Sequence, residues 1–504
     1  GIISGLAAVI LKSSVHELIK YLELGLNLFG VNYLYLVYPL IGILLTALIS
    51  KYVLKEQLGH GITQILYSIS KNSSIIRRTK MYSRMLTSAI TVGFGGSVGL
   101  EAPIVVTGSA IGSNLGRLFH LSYKKRTLLI GCGAAGAISA IFNSPITGVI
   151  FAMEVILTEV KISRFIPLLL ASVCGQIVAL VLLGEDILFS FTLTESFHAS
   201  DTGYYLLLAA SCGLISLYFT RMMYVFEGAI MKLKNDFGRA FIGGISLALI
   251  ILTFPPIYGE GYETIKSLLN GDTESVFLHS FLYWFSDNQT SVIIFLFLIL
   301  LVKPIATALT IGAGGSGGIF APSLFMGGVV GYTFSSTANT LFGTSLSTSN
   351  FTLVGMCGVM SGVLHAPLTA IFLIAEITSG YVLFVPLMLV SAISYSTISY
   401  FEKHSIYTKR LIETGDLIQY DKDQIVLSLI DLKKIIEKDL LTIEPQSTLD
   451  DLVRLVKKSK RNIFPVVNAE NELEGIVTLD DIREMMFDEE SRKNVFVNTI
   501  MQKP

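Results

Sequence analysis

Two glycine-rich stretches decide how this chain folds: GFGGSVGLEAP at 93–103 and GAGGSGGIFAP at 312–322. The first glycine, the glycine pair, the serine, the next shared glycine and the Ala-Pro ending coincide in the two. Proline in the first turn, after flexible glycines, marks a helix start. A helix start exposes free backbone N–H groups at the positive end of the helix dipole, which suits an anion. Each stretch therefore predicts a helix that begins at an anion-binding position.

The match between the two stretches continues downstream and indicates one internal duplication. Two ordered blocks align at nearly the same offset of about 220 residues, which apolar sequence does not produce easily by chance. The matching residues are Gly136, Ser139, Pro145, Thr147 and Glu154 in the first block and Gly358, Ser361, Pro367, Thr369 and Glu376 in the second. Paired Gly and Pro breaks in corresponding positions point to a substrate site between the halves. The residues alone leave open whether the halves are inverted or parallel.

The composition is that of a polytopic membrane protein. Of the 504 residues, 52% are hydrophobic and only 15% are charged, whereas a soluble domain carries about 25% charged residues. The formal net charge of −1 implies no nucleic-acid partner. The apolar runs predicted as helices are 36–49, 165–183, 204–220, 241–254, 292–302 and 382–398. Several are shorter than the roughly 20 residues that span a bilayer, which fits a transporter with broken helices.

The composition changes after Tyr407, where charged residues become ordinary in frequency. The pattern predicts an amphipathic helix at 449–458, strands at 463–467 and 475–478, and a second helix at 480–486. We therefore predict a membrane domain at 1–411, a linker at 412–438 and a small α/β domain at 439–504.

At this point the chain resembles the CLC family of voltage-gated-type chloride channels and proton/chloride antiporters. The segment GHGIT at 59–63 stands in the place of the family's GSGIP loop, and GLEAP at 99–103 in that of G[KR]EGP. The segment GIFAP at 318–322 is a full match to GxFxP, and Tyr407 looks like the pore tyrosine. The resemblance implies an all-α polytopic membrane domain with inverted internal repeats. It also implies a homodimer with one pore per subunit in a lipid bilayer, which we expect to be the plasma membrane of a bacterium.

The resemblance makes Glu101 the gate of the pore. A carboxylate on an anion-binding helix start can occupy the place of the transported anion until protonation or an incoming anion displaces it. The anion-binding positions that the resemblance implies are His60, Gly61, Ile62, Ala102, Ile319, Phe320, Ala321 and Tyr407. His60 stands where the family has Ser or Pro, and it either contacts the anion or constricts the inner pore, or else points into packing. Thr63 replaces the family proline.

The position of Val155 bears on proton coupling. The family's coupled transporters carry a second glutamate there, whereas family channels often have valine, which cannot carry a proton. The expected function is therefore chloride transport, leaning to a passive channel, with a proton-coupled chloride antiporter as the alternative. Glu154 or Glu159 could supply the missing carboxylate. Glu154 also matches Glu376 in the other half, which favours a repeated structural role at least as strongly.

The C-terminal segments 439–445, 462–467 and 475–481 resemble a CBS domain, and 498–504 looks like the truncated start of a second repeat. CBS pairs often bind adenine nucleotides, in which case Thr478 and Asp481 are the ribose-contacting candidates. The alternative is that both residues cap the following helix. No other cofactor is expected, and the expected ligand is chloride, with protons as a second ion in an antiporter.

Two other classes of protein fit less well. A magnesium transporter with CBS domains would need clustered carboxylates in the membrane, and no such cluster is visible in the sequence. We find no Ser-His-Asp, HExxH, Walker or paired-carboxylate pattern in a suitable context. The chain is therefore expected to be neither an enzyme nor a metal-binding protein.

Overall fold

The computed structural model describes residues 1–29, 34–56, 59, 61–157, 164–184, 195–277, 280, 289–378, 380–414, 416, 436 and 438–503. The chain divides into two compact units, Gly1–Ile418 and Gln419–Pro504.

The first unit is helical in the described residues. Its helices are α1 Ile2–Phe29, α2 Leu34–Leu48, α3 Gly61–Ser70, α4 Ser83–Gly93, α5 Glu101–Leu118, α6 Tyr123–Phe142, α7 Pro145–Phe151, α8 Phe165–Leu183, α9 Thr202–Met231, α10 Asp236–Thr253, α11 Tyr262–Leu269, α12 Gln289–Gly312, α13 Phe320–Phe342, α14 Thr348–Leu364, α15 Pro367–Ile377, α16 Phe384–Phe401 and α17 Lys409–Glu413. Single π-helical turns follow α2 at Ile49–Leu54 and α7 at Ala152–Ile156, and 3₁₀ turns lie at Arg78–Met81, Ala199–Asp201, Pro255–Ile257 and Ser275–Phe277.

All six apolar runs are helices, but only the run at 165–183 has the predicted bounds. The largest difference is in α9, which continues from the predicted end at Thr220 to Met231, and α12 continues likewise to Gly312. Apolar runs underestimate these helices because backbone groups in a membrane must be satisfied within the helix, so the helix persists through polar residues.

Eight helices in the described part of the chain are long and apolar enough to cross a membrane. Shorter apolar helices at Pro145–Ile156, Thr348–Leu364 and Pro367–Ile377 accompany them. Long and short helices together form the multi-pass membrane unit that the composition predicts.

The duplication is visible as equivalent contacts in the two halves. Helices α5 and α6 cross so closely that a Cβ on Gly108 would lie 2.3 Å from the carbonyl oxygen of Gly133. In the second half, α13 and α14 cross in the same way, since a Cβ on Gly327 would lie 2.4 Å from the oxygen of Gly355. Small residues allow this approach of helix backbones within membranes. The two halves thus use glycine for the same packing, as the inverted repeats of the predicted fold require.

The second unit holds a two-stranded antiparallel sheet with short helices around it. Strand β1 Ile463–Val467 pairs with β2 Leu473–Thr478, with Phe464 opposite Val477. The strands and α18 Leu449–Lys458 bury an apolar core that includes Leu452, Phe464 and Val477. The remaining helices are α19 Leu479–Ile482, α20 Glu489–Asn494 and α21 Val497–Ile500, with a 3₁₀ turn at Met485–Phe487.

The helix predicted at 480–486 is two short segments in the structure. The helix α19 ends at Ile482, and a separate 3₁₀ turn follows at Met485–Phe487. A segment this short forms few of the hydrogen bonds that stabilise a helix. Gln502 and Ile476 exchange backbone hydrogen bonds of 2.9 Å each, which adds the end of the chain to the sheet.

Candidate anion site

The two glycine-rich stretches meet at their ends. The amide of Gly99 donates to the carbonyl of Gly318 at 2.9 Å, and the amide of Gly318 donates back to Gly99 at 2.8 Å. A Cβ on Gly318 would lie 2.6 Å from the Cβ of Ala102, and one on Gly99 would lie 2.8 Å from the Cβ of Ala321. Only glycine allows this approach, which brings the first turns of α5 and α13 together.

Both helix starts keep free donors. Within the described part of the chain, neither Leu100 at the start of α5 nor Ile319 at the start of α13 caps its helix with a side chain. The first amides of a helix have no partner within the helix, and Pro103 and Pro322 contribute none. The amides of the first two residues in each helix therefore have no partner within the helix and lie at the positive ends of two helix dipoles. Those of Glu101 and Ala321 face the Glu101 carboxylate.

A third helix start and the predicted pore tyrosine lie against α5. A Cβ on Gly61, the first residue of α3, would lie 2.6 Å from Cγ2 of Val106. The hydroxyl of Thr63 donates to the backbone carbonyl of Tyr407 at 3.0 Å. Tyr407 is 2% exposed, and its hydroxyl has no hydrogen-bond partner among the described residues. Thr63, which replaces the family proline, thus fixes Tyr407 to α3, and the phenol remains free to bind a ligand.

The side chain of Glu101 fills the space at these helix starts. Glu101 is 2% exposed, and its Oε1 accepts a hydrogen bond from the hydroxyl of Tyr262. The amides of Glu101 itself and of Ala321 face the carboxylate, while Oε2 has no fully formed hydrogen bond within the described residues. Tyr407 lies within electrostatic range of the same carboxylate. A negative group of the protein therefore stands where the geometry favours an anion.

His60 lies outside the described residues, so its role stays a prediction, whereas Gly59 before it and Gln64 after it are described. The buried guanidinium of Arg84 donates to the carbonyl of Gly59 at 3.1 Å and to Oε1 of Gln64 at 2.8 Å. The ammonium of Lys80 donates to the same oxygen of Gln64. Two cations, with Glu56 as the nearby opposite charge, therefore contact Gly59 and Gln64, the described residues before and after His60 in the chain.

The other predicted anion-binding residues are buried at or next to helix starts. Phe320 packs against Phe142 and Phe151, with ring centroids 5.2 and 6.3 Å away. The remaining buried positions are Ile62 in α3, Ala102 in α5, and Ile319 and Ala321 at the start of α13. The structure brings all the described members of the predicted set into one region of the membrane unit.

Glu154 caps the start of α15, the helix that contains Glu376, and Glu376 caps the start of α7, which directly precedes the turn with Glu154. The carboxylate of Glu154 accepts from the amides of Leu368 and Thr369 at 3.2 and 2.8 Å and from the Thr369 hydroxyl at 2.6 Å. Glu376 likewise accepts from the amides of Ile146 and Thr147 at 2.9 and 2.8 Å and from the Thr147 hydroxyl at 2.6 Å. Glu154 therefore has the repeated structural role that its match with Glu376 suggests.

Val155 packs, half-buried, against the apolar core of the membrane unit. Glu159, the other carboxylate considered as a substitute for a coupling glutamate, lies outside the described residues. The carboxylate of Glu154, next to Val155 in the chain, accepts hydrogen bonds on both oxygens from the start of α15.

Thr478 and Asp481 form a capping box at the start of α19. The Thr478 hydroxyl and amide each donate to Oδ2 of Asp481 at 2.7 Å, and Gln502 donates to Oδ1 at 2.8 Å. These hydrogen bonds lower the pKa of the Asp481 carboxyl from its ordinary value. Both residues have the capping role, and a ribose would have to compete for these groups, so nucleotide contact stays a prediction.

Sequence reasoning missed Glu260, Tyr262 and Lys303, which lie near Glu101 or near the glycine-rich stretch that leads to it. The amide of Leu100 donates to Oε1 of Glu260 at 3.0 Å, and the buried Lys303 donates to Oγ of Ser97 at 2.9 Å. A signal was present in each case. Glu260 and Tyr262 belong to the polar run GEGYE at 259–263, and Lys303 is a lone charge within an apolar helix, which generally marks function.

Comparison with known proteins agrees with this geometry. The family model described as voltage gated chloride channel matches residues 41–399, and the CBS domain model matches 432–488. The Arabidopsis thaliana "Chloride channel protein CLC-f" is 25% identical over 84% of this chain and 60% of its own length. The Vibrio vulnificus "H(+)/Cl(-) exchange transporter ClcA" is 28% identical over 60% of this chain and 62% of its own length. The chain thus spans less than two thirds of the length of these relatives.

A solved structure shows the same fold. A slow cyanobacterial Cl−/H+ antiporter superimposes with a TM-score of 0.71 at 21% identity, and the match covers 82% of this chain and 96% of the other. The matched family region extends from α2 to α16 and includes both glycine-rich stretches. The chain is a multi-pass membrane protein with a C-terminal CBS domain, and it belongs to the voltage-gated chloride channel (CLC) family.

Proposed function

We propose that this protein transports chloride across the membrane through a pore gated by Glu101. One observation carries the proposal: the mutual backbone pairing of Gly99 and Gly318 joins two uncapped helix starts, and the Glu101 carboxylate is buried at their junction. The free amides at these starts and the free hydroxyl of Tyr407 are the donors that would replace the hydration shell of an anion.

The transport is proposed to be passive. Val155 cannot bind a proton, and the carboxylate of Glu154 is held by three hydrogen bonds from α15. Both oxygens of this carboxylate are engaged at the start of α15, so proton uptake by Glu154 would weaken this cap.

The second candidate function is a proton-coupled chloride antiporter on the same fold. The observation in its favour is that Glu101 is itself a buried carboxylate, to which the hydroxyl of Tyr262 donates a hydrogen bond. The names of the Vibrio relative and of the cyanobacterial structure also describe exchange of chloride and protons by those proteins.

The reversal potential of the purified protein in planar bilayers separates the two functions. The current is recorded under a chloride gradient, first at symmetric pH and then with a gradient of two pH units added. A channel reverses at the chloride equilibrium potential under both conditions. An antiporter reverses at a displaced potential that moves with the pH gradient.

The same recordings test the anion site itself. Absence of any chloride current or flux from a folded protein would overturn the proposed function. Replacement of chloride by fluoride, bromide or nitrate gives the selectivity, and His60→Ala tests whether the imidazole contributes to it. Unchanged selectivity and acid sensitivity in His60→Ala would mean that this side chain only packs.

The proposals for assembly and regulation rest on the same resemblance to the CLC family and to CBS domains. The protein is proposed to act as a homodimer with one pore per subunit in the plasma membrane of a bacterium. Its membrane domain is placed at 1–411, the linker at 412–438 and the CBS domain at 439–504. An adenine nucleotide at Thr478 and Asp481 is proposed as its regulatory ligand, and calorimetric titration of the full chain with ATP and AMP tests this.

A further inference from the structure

The structure assigns to Tyr262 the role of holding Glu101 in its blocking position, as a positioning residue on a brace formed by residues 255–262. This inference rests on the proposed function, because it assumes that Glu101 closes the pore. Tyr262 is 7% exposed and is the first residue of α11. Its hydroxyl donates to Oε1 of Glu101, although the two residues are separated by 161 positions in the chain.

The brace follows the loop that leads to the gate, over its whole length. The hydroxyl of Tyr258 donates to the carbonyl of Gly93 at 3.2 Å, and the hydroxyl of Ser97 donates to the carbonyl of Ile257 at 2.9 Å. The amide of Gly259 donates to the carbonyl of Gly95 at 3.4 Å. Because the two segments are joined at several points, the phenol of Tyr262 is held in a fixed place relative to the gate.

Glu260 and Lys303 complete this arrangement. Glu260 accepts the amide of Leu100, directly before the gate, at 3.0 Å. The ammonium of Lys303 donates to Ser97 Oγ at 2.9 Å and to the Ile257 carbonyl at 3.3 Å. It also lies 4.7 Å from the ring centroid of Phe325. Lys303 thus joins the gate loop to the brace and places a positive charge within electrostatic range of the Glu260 carboxylate.

The contacts of the brace can be compared with the described contacts around the second glycine-rich stretch. The contacts that serve the fold are duplicated: the Ser97 amide donates to Thr310 Oγ1 at 3.2 Å, and the equivalent Ser316 amide donates to Thr91 Oγ1 at 3.0 Å. By contrast, no side chain among the described residues accepts the Ile319 amide, which is equivalent to that of Leu100. Among the described residues, the contact of Glu260 with the amide directly before Glu101 therefore has no equivalent at the start of α13.

The hydrogen bond from Tyr262 stabilises the ionised, inward carboxylate, because a phenol donates more strongly to a carboxylate than to a neutral acid. The other titratable groups that bear on this site are Tyr407 beside Glu101, Glu260 on the brace, and Lys303 and Lys12, which act on Glu260. If protonation opens the gate, loss of the Tyr262 hydroxyl alone should let the gate open at a higher pH.

The test compares Tyr262→Phe with the control Tyr218→Phe, which removes a hydroxyl outside the brace that donates to the Leu301 carbonyl at 2.7 Å, in chloride efflux from liposomes at a series of pH values. Tyr262→Phe should move the pH of half-maximal flux upward by about one unit, and Tyr218→Phe should leave it in place. In a Glu101→Gln background, Tyr262→Phe should have no further effect. A residue that only supports the fold would not show this dependence on Glu101.

A second measurement keeps the test independent of folding defects. Replacement of Tyr262 by 2,3,5-trifluorotyrosine preserves its shape but makes the hydroxyl a stronger donor, so the half-maximal pH should move downward. The inference is overturned if flux persists in the wild type and responds to Glu101→Gln but neither Tyr262 change moves the midpoint, or if Tyr218→Phe moves it equally. Absence of flux in the wild type would instead refute the proposed function.

Discussion

At the scale of single residues, the first prediction follows from the proposal that the carboxylate of Glu101 occupies the space of an anion. Glu101→Gln removes the charge while preserving the size of the side chain. We expect chloride flux at neutral pH to rise severalfold and its acid dependence to disappear, because a neutral amide no longer competes with chloride for the helix starts. Efflux from liposomes between pH 4.5 and 8 measures both effects. Unaltered acid dependence in this variant would mean that another group is the gate.

The phenol of Tyr407 gives the second prediction, because it is a buried donor without a partner among the described residues. Tyr407→Phe should hardly change the thermal stability, since no hydrogen bond to protein is lost. Chloride affinity should fall by about tenfold, the size of one hydrogen bond to a charged ligand. Isothermal titration with chloride measures it. Tyr218→Phe is the control, since the Tyr218 hydroxyl donates a hydrogen bond to the Leu301 carbonyl at 2.7 Å. Equal losses of chloride affinity in both variants would exclude a direct role for Tyr407.

The residues of the site were predictable from sequence only where they lie in a contiguous motif. Glu101 and Phe320 stand in glycine-rich stretches that repeat, so their position at helix starts follows from local chemistry. Tyr262 and Lys303 could not be assigned in this way, because each reaches the gate loop across more than 150 positions of chain. Such contacts depend on the packing of α11 and α12, about which the local sequence carries no information.

At the scale of elements, the exchanged caps of α7 and α15 give the third prediction. Glu154→Gln and Glu376→Gln should each destabilise the protein by on the order of 1–3 kcal/mol, because each removes charge-assisted hydrogen bonds to a helix start. The two losses should be similar, since the contacts are equivalent. Thermal unfolding in detergent measures them. If Glu154→Gln instead abolishes proton movement while stability is unchanged, Glu154 is a proton acceptor and the antiporter is favoured.

The capping box at the start of α18 gives the fourth prediction. Thr448 and Asp451 hold each other at this helix start, and the hydrogen bonds from Thr448 lower the pKa of the Asp451 carboxyl. Thr448→Ala should destabilise the helix by about 1 kcal/mol at neutral pH. Because the pKa of Asp451 is lowered in the folded state, its ionised carboxyl stabilises the fold at pH values above the ordinary pKa near 3.9. This stabilisation is lost as the pH falls through the folded-state pKa.

Hydrogen exchange of peptides from α18 in the full chain measures this effect. The exposed Thr442, changed to Ala, is the matched control. The difference between Thr448→Ala and wild type should shrink in acid, as Asp451 becomes protonated in both. A difference that is constant from pH 7 to pH 3 would show that the hydroxyl alone acts, without the carboxylate.

Element bounds were predictable where a clear start or stop signal flanks the run. The helix α18 and the strand β1 have the predicted bounds, because a threonine cap and turn residues delimit them. In the membrane unit, polar residues such as Arg221 and Glu227 continue α9 beyond its apolar run. Hydropathy alone cannot register this, because it measures the preference of side chains while the helix is maintained by its backbone.

At the scale of the whole molecule, the duplication predicted the architecture better than any single segment did. Two blocks at one offset predict two similar halves with a site between them. In the structure, the mutual hydrogen bonds of Gly99 and Gly318 join the two halves. The repeat could not predict where the halves differ. Among the described residues, the brace at 255–262 contacts the glycine-rich stretch that contains Glu101, and the side chain of Glu260 accepts the amide of Leu100 there without a described equivalent at Ile319.

The last prediction concerns how many pores the proposed homodimer contains. All described donors of the anion site, from α3, α5, α13 and Tyr407, belong to one chain, so each subunit should hold a complete pore. Dimers that combine one wild-type subunit with one Glu101→Gln subunit should therefore show two additive flux components. One component should remain sensitive to acid and the other should not. Flux from liposomes containing single dimers, purified through two different affinity tags, resolves them. A single component with intermediate acid sensitivity would instead require a pore shared between subunits, because only then would one gate act on the whole current.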